Sequence, residues 1–147
     1  KVIFYDIKKN IADKNAEQVD VLRIKNEAQV LSLHVPQTLL TLGMINLNFI
    51  SEMKNPFWLI NTSRGSAVVT EDLVKGLKSG KILGAGLDVL EYESSSFNSI
   101  FKDKSIPKSI EYLINSENVI LSPHVAGWTV ESYKKLSKVI LDKINQL

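Results

Sequence analysis

Short apolar runs alternate with amphipathic stretches along the chain. The runs Val2–Tyr5, Val30–Leu33, Trp58–Ile60, Ala85–Val89 and Val119–Leu121, with a weaker one near Gln18–Val19, read as strands. Most are almost wholly apolar, the pattern of parallel strands buried on both faces. Helical periodicity between and after them predicts helices over Asn46–Met53, Glu71–Ser79 and Val130–Ile144. Thr70 is the expected N-cap of the second helix, with Glu71 and Asp72 against its positive end and Gly80 as its stop. The third sets Tyr133, Leu136, Ile140 and Ile144 on one stripe, which is expected to lie against another surface. This alternation predicts an α/β fold, a Rossmann-like doubly wound parallel sheet in three layers (α/β/α). The stretch from Glu91 to Asn118 is long for a connection inside one domain, and a short helix is expected near Ser109–Ile114.

Composition narrows the function classes. A chain of 147 residues that is 44% hydrophobic can bury the core of one domain. Its 18 basic and 16 acidic side chains are interspersed and leave a net charge of +2. Nucleic-acid and membrane-surface proteins usually concentrate their basic residues, so neither partner is expected. With no cysteine there is no disulfide or thiolate metal site, and two histidines are too few for zinc, so no metal is expected. No apolar run approaches the length of a membrane span, and Lys1–Asp6 reads as a strand rather than a secretory signal. The expected location is the cytoplasm.

In an open parallel sheet the carboxyl ends of the strands converge on one crevice, where ligands bind. Asn61-Thr62-Ser63-Arg64-Gly65 follows a strand there. A guanidinium in that loop can grip a carboxylate with paired donors, although an ordinary surface arginine is the plainer reading. His124 follows Ser122-Pro123 and precedes Val125-Ala126-Gly127, whose small residues allow a ligand close. Histidine exchanges protons near neutral pH, but many histidines serve only as structural hydrogen-bonders. His34 ends a strand before Pro36 and reads as a histidine lining the crevice edge. Glu91 and Glu93 compete as the acid just beyond Asp88. Asp88 itself can accept from an amide ligand. Asp6 closes the first strand, where a carboxylate accepts from the ribose hydroxyls of NAD and repels the extra phosphate of NADP.

Taken together, these segments resemble the NAD-binding domain of the D-isomer-specific 2-hydroxyacid dehydrogenases. The matching stretches are Leu33 to Thr38, Gly43 to Asn46, Ile60 to Gly65, Leu77 to Gly80, Gly84 to Val89 and Asn118 to Gly127, in the family's order. The resemblance implies NAD as cofactor and hydride transfer between nicotinamide and a D-2-hydroxy acid or its 2-keto acid, with a phosphoglycerate dehydrogenase-like activity among those it covers. It places the catalytic set on Arg64, Glu93 and His124. Arg64 would bind the substrate carboxylate and polarise the carbonyl, His124 would be the general acid and base, and Glu93 would hydrogen-bond His124. The cofactor would be held by Asp6 at the ribose and Asp88 at the carboxamide, and walled by His34, Val35, Pro36, Thr62, Ser63, Arg64, His124 and Gly127.

The resemblance also implies a division of the chain. Residues 1–128 would be a partial NAD-binding domain from its second strand onward, and residues 129–147 a helix leading back toward a substrate domain. The glycine-rich turn and first strand of such a domain would precede Asp6, so these residues alone are expected neither to bind NAD tightly nor to catalyse. Ser94 stands where the shortest family versions carry a proline. A homodimer through the NAD-binding domains is the expected assembly. The alternative from another class is a non-catalytic, NAD-sensing module of the co-repressor type, because a fold does not guarantee turnover.

Overall fold

The computed structural model describes residues 1–92 and 106–146. Strands β1 (Ile3–Phe4) and β2 (Glu17–Gln18) form a two-stranded parallel pair. Strands β3 (Val30–Leu33), β4 (Phe57–Asn61), β5 (Ile82–Leu87) and β6 (Val119–Leu121) form a four-stranded parallel sheet in that order. Helix α1 (Val21–Glu27) leads into β3, α2 (Leu47–Glu52) into β4, α3 (Thr70–Lys78) into β5 and α4 (Lys108–Ile114) into β6. Helix α5 (Val130–Ile144) closes the chain. This is the α/β architecture that the alternation predicts, and the short helix expected near Ser109–Ile114 is α4.

One face of the larger sheet makes the core. Along β4 the buried residues Phe57, Leu59 and Asn61 alternate with the exposed Trp58 and Ile60. The buried set packs with Ile45, Ile50, Leu73, Ile82, Ile110 and Leu113, which brings α2, α3 and α4 onto that side. Gly76 allows this approach, since a Cβ there would stand 2.8 Å from the Ile82 side chain. The expectation of burial on both faces is met on this side only. On the other, Val30, Trp58, Ile60 and Ile120 are exposed among the described residues. An apolar run reports a strand's affinity for burial, not which element covers it.

Three local readings change. The sequence reading omits α1, which has no buried residue and is only seven residues long. Its signal is the N-cap Asp20, whose side chain accepts from the Arg23 amide at 2.7 Å. The N-cap of α3 is Val69, and Thr70 is its first helical residue. Valine offers no acceptor, so the orphan Thr70 amide donates instead to Glu91, at 2.7 Å. Gly80 does end α3, in a left-handed conformation (φ 73°). Finally, the stripe of α5 expected to pack stands exposed, and no residue of that helix is buried. Among the described residues no helix is long and apolar enough to cross a membrane.

Candidate active site

Register decides which loops meet. Leu33 pairs with Asn61, Asn61 with Leu87, and Leu87 with Leu121, so the carboxyl ends of four strands stand in one row. His34, Thr62 to Arg64, Asp88 and Ser122 to His124 all leave from that row. With neighbouring strands about 4.8 Å apart, the loops after β4 and β6 start roughly 10 Å from each other. That is a span a small acid and a nicotinamide ring can occupy. Asp6 follows β1, in the separate pair of strands.

Asn61 builds the turn that carries the arginine. It is buried, and its Oδ1 accepts from the Ser63 amide (3.1 Å) and hydroxyl (2.9 Å) while its Nδ2 donates to the Arg64 carbonyl at 3.0 Å. An asparagine suits this task because one amide supplies both an acceptor and a donor. Thr62 and Arg64 are exposed on this fixed turn. The Arg64 Nη1 donates to the Ser63 carbonyl at 2.6 Å. Ser63 is buried with its hydroxyl committed to Asn61, so it is the Thr62 side chain, not that of Ser63, that this turn presents. Behind the turn, a Cβ on Gly65 would lie 1.9 Å from the Leu90 carbonyl oxygen. The arginine turn and the loop after β5 therefore touch backbone to backbone.

The histidine turn is anchored in Asp88. This residue is only 3% exposed. Its Oδ1 accepts from the Ser122 hydroxyl (2.6 Å) and the Val125 amide (2.8 Å), and its Oδ2 from the Ala126 amide (2.9 Å). The His124 amide donates to the Asp88 carbonyl at 3.0 Å. Held on both sides, His124 adopts a left-handed backbone (φ 56°), which non-glycine residues rarely take. Burial by itself pushes the pKa of Asp88 up. The Ser122 hydroxyl, the Ala126 and Val125 amides and the nearby His124 outweigh it, and the carboxyl stays below the ordinary aspartate range. A carboxylate has about four acceptor positions, of which three are occupied here.

The other sequence candidates fall in different settings. His34 is exposed, and its Nε2 lies 2.9 Å from the Ser32 hydroxyl. Val35 is half-buried and packs against the core, while Pro36 is exposed and its carbonyl accepts from the Thr41 hydroxyl at 2.7 Å. Gly127 is exposed, and a Cβ on it would meet nothing within 4 Å. Asp6 is exposed, and its Oδ1 accepts from the Lys8 amide at 2.7 Å. Glu93 lies outside the described residues. Glu91, its competitor, is committed to the start of α3. Asn61, Gly65 and the Glu91–Thr70 bond are working parts whose structural roles the sequence did not reveal. For Asn61 the signal was a polar residue closing an apolar strand.

Comparison with known proteins identifies the family and the fold. The family model for the D-isomer specific 2-hydroxyacid dehydrogenase, NAD binding domain, matches residues 1–126. A D-lactate dehydrogenase of Lactiplantibacillus plantarum is 36% identical over 99% of this chain and 45% of its own length. A D-3-phosphoglycerate dehydrogenase of Haemophilus influenzae is also 36% identical, over 97% of this chain and 33% of its own. Among solved structures, the NAD-complexed D-isomer specific 2-hydroxyacid dehydrogenase of Lactobacillus delbrueckii ssp. bulgaricus superposes with a TM-score of 0.83 at 36% identity, over 97% of this chain and 45% of that one. The chain thus spans less than half the length of the relatives it matches. It belongs to the D-isomer-specific 2-hydroxyacid dehydrogenase family, whose NAD-binding-domain model its residues 1–126 match.

Proposed function

We propose that this chain forms part of an NAD-dependent oxidoreductase acting on the CH–OH group of a D-2-hydroxy acid. The observation that carries the reading is the row of strand ends Leu33, Asn61, Leu87 and Leu121, which delivers Arg64, Asp88 and His124 to one edge. When bound, NADH supplies a hydride to the carbonyl carbon of a 2-keto acid, and NAD takes one back from the alcohol. Asp6 accepts from the ribose hydroxyls, and its charge disfavours the 2′-phosphate of NADP. His34, Val35, Pro36, Thr62 and Gly127 wall the dinucleotide together with the backbone of Ser63, and Asp88 takes the carboxamide. Arg64 pairs with the substrate carboxylate and draws electron density from the carbonyl oxygen. His124 gives its ring proton to that oxygen in reduction and recovers it from the hydroxyl in oxidation. Glu93 hydrogen-bonds His124 in this scheme.

The test is NADH oxidation by the full-length protein, offered a panel of 2-keto acids from pyruvate and phenylpyruvate to glyoxylate and a phosphorylated hydroxypyruvate. We expect turnover on at least one of them, and a fall of about 10²–10⁴ in kcat on replacing His124 by alanine. NADH binding without oxidation of any 2-keto acid would leave the NAD-sensing module as the function. The same reading carries a homodimer formed through the NAD-binding domains and a cytoplasmic location. Sedimentation of the purified protein and cell fractionation check the two in turn.

A further inference from the structure

Glu91 is an exposed acid that the proposed chemistry does not use, yet its carboxylate is bound. It accepts from the Thr70 amide at 2.7 Å, across 21 residues of sequence. The arginine turn runs directly into the first of these partners, Thr70. Arg64 precedes the short 3-10 turn Gly65–Ala67, and α3 starts three residues after it. One residue before Glu91, the Leu90 carbonyl sits against Gly65, too close to admit any side chain there. At the other end, the Asp88 amide donates to the Asn61 carbonyl at 3.0 Å. The segments 61–70 and 88–91 are thus joined at three points, namely Asn61 with Asp88, Gly65 with Leu90, and Thr70 with Glu91. Of these three, the last runs through a side chain.

Resting on the function proposed above, we infer that Glu91 is a positioning residue for Arg64: its bond to Thr70 closes a ring that holds the arginine turn against the loop after β5. A carboxylate at a helix start also complements the helix dipole, so a plain helix cap is the competing role. The two differ in reach. A cap steadies the first turn of α3, whereas a positioning bond also steadies the turn before it, where the Ala67 amide donates to the Arg64 carbonyl and the Val68 amide to the Gly65 carbonyl.

The experiment compares Glu91→Ala with Thr70→Pro in the full-length protein. Proline at the first helical position removes the donor while fitting the helix, so the bond is cut from either side by unrelated changes. Both are expected to raise KM for the 2-keto acid about tenfold with the Kd for NADH within about twofold of the parent, because the substrate's carboxylate partner is displaced. The double variant should be no worse than the worse single one, and Glu91→Gln, which keeps an acceptor, should lie between parent and Glu91→Ala. Amide hydrogen exchange should quicken at Ala67 and Val68 in both variants. Exchange that quickens only within α3, or an unchanged KM in Glu91→Ala at a temperature where it is folded, would overturn the inference. If Glu91→Ala does not fold, Thr70→Pro carries both readouts alone. The exchange measurement needs no turnover, so it stands or falls separately from the proposed activity.

Discussion

Helices α3 and α5 carry the same kind of sequence and meet different fates. Each has an apolar stripe on one side and charges on the other. In α3, Leu73 is 1% exposed and Val74 is buried, against β5 and between α2 and α4. In α5, Val130, Tyr133, Leu136, Val139, Ile140, Leu141 and Ile144 are each more than half exposed. Amphipathicity says that a helix has a face worth burying, at about 25 cal/mol per Å² of apolar area. It does not say against what. The lesson extends to the sheet, where Phe57 and Leu59 are covered and their neighbours Trp58 and Ile60 are not.

The comparison breaks most clearly by truncation. Leu73→Ala should cost about 2–5 kcal/mol in denaturant unfolding of this chain, the usual range for a buried leucine. Leu136→Ala should cost under about 0.5 kcal/mol, as exposed substitutions do. A loss at Leu136 as large as that at Leu73 would show that the face of α5 is covered in solution.

The covered side is also where buried charge matters. Asp88 is held below its ordinary range, so the sign follows. Its hydrogen bonds stabilise the fold above the unfolded-state value, near 3.9, and that stability is lost as pH falls through the lower folded value. Asp88→Asn should therefore cost roughly 1.5–3 kcal/mol at neutral pH, as loss of bonds to a buried charge does. The gap from the parent should close as pH drops below about 4. Urea melts of both proteins across that range would show it, and a gap that widened on acidification would contradict the assignment.

Close backbone contact predicts a comparable or smaller loss. Gly65→Ala places a methyl group on the Leu90 carbonyl, and overpacking of this kind costs about 1–3 kcal/mol. Gly127→Ala, in open space, should be close to neutral; paired thermal melts separate the two. A smaller loss than those at Asp88 and Gly65 is expected in α1. Asp20→Ala removes the cap of α1, a helix with no buried residue, at a cost of about 1 kcal/mol. A larger loss would mean that α1 packs more tightly than its exposure indicates.

How much was legible from the residues depended on how far each cause reached along the chain. Most of the strands and their order, the stop of α3 at Gly80, and the placement of Arg64, Asp88 and His124 just past strand ends follow from patterns two to four residues wide. Backbone geometry and side-chain chemistry set those locally. The seven-residue α1 was illegible because so short a helix carries too little periodicity to stand out beside the loops around it. Thr70 looked like a cap because threonine commonly is one, but the chain entered the helix a residue earlier and took its acceptor from Glu91.

By itself, then, the sequence determined an α/β sheet, its crevice and the residue types delivered to it. Only the tertiary structure decided that Asp88 grips the histidine turn, that Glu91 serves α3, that Gly65 is glycine because Leu90 needs its space, and that α3 is covered while α5 is not. Each of those outcomes depends on contacts between segments brought together by strand register. Register is set by the packing of the whole sheet face, which no local window of residues contains.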